Sequence, residues 1–279
     1  MILSFHPCYV GDENRLCAGR DPDNDDMARM RAAKAVILPQ GCRKTLFDAA
    51  AGCCPRVFPD YTARFAWPEK TGQSRMFARY NASHPPTAAF DCLADFSRQY
   101  NSDPAEAGFA FPFVLKYNGS GEGANVWLAD TPDTFARLLD RAANWEKTGQ
   151  FGFLLQQYIE TRGRSLRVAV VGKTLVSYWR IQPDNTGFQA SAARGARIDH
   201  TADSGRRAAA EEQVLHLCRQ TGINLAGFDL IFSENPAPNE DDTPLLLEVN
   251  YFFGRTGLGG SEAFYRLLCT EIDKWIEQA

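Results

Sequence analysis

No stretch of the 279-residue chain is apolar for long enough to span a bilayer as a helix. A basic excess is also missing. Thirty lysines and arginines stand against 34 aspartates and glutamates, a formal net charge of -4, which speaks against nucleic acid as the main partner. Histidines are few (6, 84, 200 and 216), and none is spaced for a metal. The eight cysteines (8, 17, 42, 53, 54, 92, 218 and 269) follow no zinc pattern, and a disulfide framework suits a smaller, secreted chain. The opening Met-Ile-Leu-Ser-Phe-His-Pro lacks the basic region and apolar core of a secretory signal. The expectation is a cytoplasmic protein with reduced, structural thiols, the Cys53-Cys54 pair included. A Gly-x-Ser-x-Gly nucleophile elbow, a Walker Gly-Lys-Ser/Thr and a Rossmann fingerprint are all lacking.

What is present is an ordinary globular composition, 44% hydrophobic and 23% charged, in a chain long enough for two or three lobes. The first sixty residues alternate strand and helix signals: strands at 1–8, 35–38 and 56–58, and a helix over 43–51. That alternation predicts a small α/β lobe with a parallel sheet. Residues 11–26 read as a polar loop free to move. A helix over 70–80 is stopped by Pro85-Pro86. An amphipathic helix is expected over 90–100, then strands at 111–116 and 126–128. A further helix is capped by Asp130 or Thr131, with Pro132 in its first turn. Strands at 153–159 and 167–179, the latter turning at Gly172-Lys173, precede a helix over 205–221. The last helix starts at Ser261, with Phe264, Leu267, Leu268, Trp275 and Ile276 as its core stripe.

Three motifs carry chemistry. Gly227-Phe228-Asp229-Leu230-Ile231 and Leu245-Leu246-Leu247-Glu248-Val249-Asn250 read as two strands of a hairpin. Side chains alternate along a strand, so Glu248 and Asn250 project to one face. With Asp229 they supply two carboxylates and an amide oxygen, hard ligands suited to magnesium beside a phosphate; a satisfied polar patch is the equal alternative. Lys116 ends a strand and leads into Asn118-Gly119-Ser120-Gly121-Glu122-Gly123. Glycines there let backbone N–H groups close on phosphate oxygens, although a plain hairpin turn explains them as well. Gln156-Gln157-Tyr158-Ile159 leaves a strand for a polar linker that can offer backbone groups to a purine, or simply be a buried strand.

Taken in order, these pieces resemble the ATP-grasp superfamily, in its glutathione synthetase and ribosomal-protein glutamyl ligase branch. The resemblance covers about residues 69–276 and rests on the order of the motifs. It implies an α/β (α+β) ATP-grasp fold divided into an N-terminal α/β lobe (1–68), a small lobe with the glycine-rich loop (69–160) and a C-terminal metal-bearing lobe (161–279). It further implies ATP held by Lys70, Lys116, Gly119, Ser120 and Gly121, and adenine held at Gln156, Gln157, Tyr158 and Ile159. Ser165 falls where the family usually has an acid for the ribose. Magnesium, with manganese as a substitute, would sit on Asp229, Glu248 and Asn250. Arg180, with Arg194 and Arg255, would steady the reacting oxyanion.

The implied activity is an ATP-dependent carboxylate–amine ligase acting through an acyl-phosphate on a small acid and an amine, a peptide or protein C-terminus among them. No nucleic acid or membrane partner is expected, and a homodimer is the commonest assembly for such a chain. Two other readings stand beside it: a phosphotransferase using the same metal site, and a nucleotide-binding module without turnover. The hinge glutamines, Ser165, Ser191 (in place of an asparagine) and the segment Tyr251–Gly260 all depart from the family pattern. They leave the acceptor open.

Overall fold

Four short strands build the first sheet: β1 (Ile2–Ser4), β2 (Glu13–Asn14), β3 (Ala35–Ile37) and β4 (Val57–Phe58). They run parallel in the order β2-β1-β3-β4, as the alternating pattern predicts. The structure is a computed structural model that describes residues 1–119, 125–182, 195–234 and 242–278. Helices α1 (Asn24–Ala32) and α2 (Lys44–Cys53) make the crossovers. The stretch expected as a mobile loop is instead tied down. Asp23 and Asp26 form a capping box at the start of α1, and the fully buried Asp26 takes Arg15 at 2.8 Å and Arg20 at 2.5 Å. This helix buries only Asp26 and Met30, so it has no apolar stripe to betray it in the sequence.

After α3 (Thr62–Ala66) and α4 (Glu69–Arg79), the chain enters a second, antiparallel sheet. Its elements are β5 (Thr87–Phe90), α5 (Leu93–Tyr100), β6 (Phe113–Tyr117), β7 (Val126–Ala129), α6 (Pro132–Glu146) and β8 (Phe153–Gln157), with strand order β5-β8-β6-β7. Thr131 caps α6 by accepting the Thr134 N–H at 3.2 Å. The helix expected from Phe90 begins later. Residues 87–90 pair with β8, placing Phe90 opposite Phe153, so Phe90 ends a strand and the helix starts only at Leu93.

The third sheet is antiparallel, in the order β11-β10-β9-β12-β13. Strands β9 (Arg164–Val171) and β10 (Thr174–Ile181) form the expected hairpin, followed by β11 (Arg197–Asp199) and α7 (Ser204–Thr221). Strands β12 (Leu225–Ile231) and β13 (Leu245–Asn250) pair antiparallel, with Asp229 opposite Glu248 and Gly227 opposite Asn250. Helix α8 (Gly260–Glu277) closes the chain and buries Phe264, Leu268 and Ile272.

The first and third sheets share one core, in which Leu3, Phe5 and Val36 join Leu166, Val168, Phe228 and Leu246. The second sheet has its own core around Phe96, Phe113, Phe135 and Phe153. The eight cysteines are unpaired. Among the described residues, no helix is long and apolar enough to cross a membrane.

Candidate active site

The centre of the site is Asp229, in the middle of β12 and only 6% exposed. A carboxylate so placed needs compensation. Arg167, its neighbour on β9, provides a two-pronged contact: Nε to Oδ1 at 2.5 Å and Nη2 to Oδ2 at 3.0 Å. Arg180 on β10 adds Nη2 to Oδ1 at 2.7 Å and donates from Nε to the Ser165 hydroxyl at 3.1 Å. Burial alone would raise the Asp229 pKa, but the two guanidiniums more than offset it and hold the group near 2. Gly227 makes room for this arrangement: a Cβ there would sit 2.7 Å from Arg167 Nη1.

Asn250 closes the carboxylate side. Its amide nitrogen donates to Asp229 Oδ2 at 3.2 Å and to Glu248 Oε1 at 2.9 Å. The three residues proposed to hold magnesium therefore do meet. Among the described residues no group of three or more His, Cys, Asp and Glu side chains is placed for a metal; this set is two carboxylates and an amide. Its chemistry fits a hard divalent ion that keeps water and phosphate in its remaining positions. A half-turn of the Asn250 amide exchanges nitrogen for oxygen toward the two carboxylates. Arg167 and Arg180 already occupy three of the contacts to Asp229, so Glu248 is the freer carboxylate.

Across from these carboxylates stand the two lysines. Lys116, at the end of β6, is 7% exposed. Burial pulls its pKa down to about 8, with Lys70 adding to the effect and Glu248 and Asp229 opposing it. Lys70, in the first turn of α4, is also lowered by burial and opposed by Glu248 and Glu69, and its ammonium donates to the Gly119 carbonyl at 2.9 Å. Asn118 fixes the start of the glycine-rich loop, accepting the Thr71 N–H at 3.1 Å and donating to the Thr71 hydroxyl at 3.0 Å. Ser120, Gly121 and Arg194 lie outside the described residues.

The hinge is built from paired backbone. Gln157 donates its N–H to the Pro86 carbonyl at 2.9 Å, while its side chain is exposed. Gln156 is buried, and its amide donates to the Thr87 hydroxyl at 2.9 Å. Tyr158 donates to Glu160 at 3.0 Å, and Ile159 is half-buried beside it. Ser165 is buried against Arg180, so its hydroxyl serves the Asp229 cluster. Arg255 has different neighbours, among them the Tyr265 and Phe264 rings, and is not part of that cluster.

Two contributors escaped the sequence reading. Arg167 sits inside an otherwise apolar strand, and a charge in such a place signals a buried partner. Gln73, one turn after Lys70, brackets the backbone between two of the proposed metal ligands: Nε2 donates to the Val249 carbonyl and Oε1 accepts the Val249 N–H, both at 2.8 Å.

A family model for the RimK-like ATP-grasp domain matches residues 91–268. The chain belongs to that family. Among its relatives is a probable alpha-L-glutamate ligase from Enterobacter sp. (strain 638), 29% identical over 172 residues. That match takes in 60% of this chain and 51% of the relative, so this RimK-like chain spans about half the length of such curated relatives. Solved structures agree along the whole fold. A RimK domain ATP-grasp protein from Sphaerobacter thermophilus DSM 20745 superposes with a TM-score of 0.60 at 15% identity, covering 98% of this chain and 99% of that one. D-cycloserine synthetase superposes with a TM-score of 0.64 at 14% identity, covering 99% of each chain. At such identities the likeness establishes the ATP-grasp fold.

Proposed function

We propose that the protein is an ATP- and magnesium-dependent carboxylate–amine ligase acting on amino acids or peptides, working as a soluble enzyme of the cytoplasm. The observation that carries the reading is the meeting of Lys70 and Lys116 with Glu248, Asp229 and Asn250 across the junction of the second and third sheets. Four cations, counting Arg167 and Arg180, surround two carboxylates. The excess of positive charge suits a polyphosphate. Magnesium, when bound, neutralises phosphate charge and orients the transferred group.

The chain's own residues account for the rest. Lys116 and Lys70 fix the phosphates, and the Gln157 carbonyl and the backbone at Ile159 offer groups to the adenine edge. Arg180 is anchored by Ser165 and Asp229, and in this reading it steadies the reacting oxygens from there. The products of the first half-reaction are an acyl-phosphate and ADP; a neutral amine then displaces phosphate and leaves an amide. The name of the Enterobacter relative makes L-glutamate the first amino acid to try.

The test is ADP release with ATP, magnesium and pairs drawn from amino acids and small peptides. ADP is expected only when a carboxylate and an amine are both supplied. Glu248→Ala should lower the rate by about 100-fold or more, the range for losing a charge-stabilising group. ADP release with an acid alone would recast the protein as a phosphotransferase. ATP binding without any ADP would overturn the ligase.

A further inference from the structure

Beyond Asn250 the chain turns back toward the first sheet, and there it builds a second polar cluster. Gly257 packs under Tyr178, whose ring a Cβ would meet at 2.2 Å, so this segment lies against the sheet that carries the Asp229 site. The preceding residues face the other way. Phe252 is 69% exposed, and its ring lies 3.6 Å from where a Cβ of Gly41 would be, in the loop after β3. Arg255 lies 6.0 Å from the Phe252 ring and 4.5 Å from the Tyr265 ring. His6, in the loop after β1, meets Tyr265 edge to face at a ring distance of 6.1 Å. The cluster thus sits outside the carboxyl ends of parallel strands β1 and β3, where open α/β sheets bind their ligands.

Its chemistry is one-sided. His6 Nδ1 accepts the Cys8 N–H at 3.0 Å, which leaves the ring proton on Nε2. Burial, reinforced by Arg255, lowers the His6 pKa to about 4, so the ring is a neutral donor. Among the described residues, Arg255 finds the Ser261 hydroxyl at 3.4 Å and the Tyr265 hydroxyl, and no carboxylate pairs with it. Gln40, next to the Gly41 that faces Phe252, has both amide atoms buried without a hydrogen-bond partner among the described residues. Donors are gathered here with no anion to receive them, beside an exposed aromatic ring. A guanidinium presents a planar fork that matches a carboxylate.

We propose that Arg255 and the His6 Nε2–H bind the unreacted carboxylate of an amino acid or peptide that attacks through its amine, with its side chain against Phe252. This rests on the ligase reading, and assigns Arg255 to substrate recognition, away from the transferred phosphate. The acid-activating groups lie in the separate cluster around Asp229 and Lys116, so a carboxylate held at Arg255 stays out of the phosphoryl transfer.

The experiment is calorimetric titration of the full chain, loaded with magnesium and a non-hydrolysable ATP analogue. The probes are L-glutamate, L-alanine and L-phenylalanine, each against its primary amide. At least one acid should bind about tenfold or more tightly than its amide. Arg255→Gln should erase that preference while leaving the affinity for the ATP analogue unchanged, and Arg255→Lys should keep part of it. Equal binding of acids and amides, absence of binding included, overturns the proposal, as does a preference that survives Arg255→Gln. Inorganic phosphate binding more tightly than every acid would also overturn it. Failure of the ligase reading appears separately: acid binding without ADP release leaves this site standing, whereas ADP release with amides and acids alike removes the site and keeps the ligase.

Discussion

Lys116 shows what a single residue costs and contributes here. The residue is 7% exposed, and burial of its ammonium lowers its pKa from 10.5 to about 8. Between about 8 and 10.5 the unfolded chain holds the proton more tightly than the folded one. The charged lysine therefore weakens the fold fully below pH 8, and stability recovers as pH rises toward 10.5. Function should run the other way, because the proposed phosphate contact needs the proton and would be lost as pH rises through 8. Lys116→Met should then separate the two. ADP release should fall by about 100-fold or more, while the melting temperature at pH 7 equals or exceeds that of the unaltered protein. The advantage in melting temperature should shrink by pH 10. A variant that loses stability at pH 7 would mean the lysine is held by its carboxylate neighbours more strongly than burial opposes it.

At the scale of elements, α4 and β13 are joined by Gln73, whose amide takes both the N–H and the C=O of Val249 at the open edge of the sheet. The same helix carries Lys70, so one side chain sets the proposed phosphate lysine against the strand that carries Glu248 and Asn250. Each of the two hydrogen bonds contributes about 1 kcal/mol, and an unpaired buried group costs more. Gln73→Ala should lower stability by roughly 1–3 kcal/mol. It should also raise the magnesium concentration for half-maximal ADP release, because Val249 would no longer hold its two neighbours in register. A loss of stability with no change in magnesium dependence would leave Gln73 a structural clamp only.

The sequence carried the strands of this pairing but not the clamp. Alternation along Leu245–Asn250 put Glu248 and Asn250 on one face, and the turn residues between the strands implied the hairpin. The glutamine was invisible because its partner is a backbone group 176 residues away, and backbone groups have no side-chain signature. Arg167 was similarly hidden, since only the register of β9 against β12 sets it beside Asp229. Helix α1 was missed because ion pairs, and not an apolar stripe, hold it.

Across the whole molecule the sheets are not equal partners. The first and third share one apolar cluster, and α4 belongs with them through Met76 and Phe77. The second sheet, with α5 and α6, packs around a separate set of aromatic residues, from Phe90 to Phe153. The chain crosses between that lobe and the rest twice, entering at Pro86–Thr87 and leaving after Gln157; the Gln157–Pro86 hydrogen bond pairs the crossings, and Lys70 and Thr71 of α4 add ties to Gly119 and Asn118. A unit with its own core and few crossings can open by itself, while units that share a core must open together. Amide hydrogen exchange at low denaturant should therefore resolve two cooperative groups, β5–β8 with α5 and α6 in one, β1, β3, β9, β12 and β13 in the other. Adding an ATP analogue with magnesium should slow the first group most, because Lys116 and strand β8 lie in that lobe and the proposed nucleotide site bridges it to Glu248. Exchange of all sheets in a single step, with and without nucleotide, would show that the interface between the cores is as strong as the cores themselves.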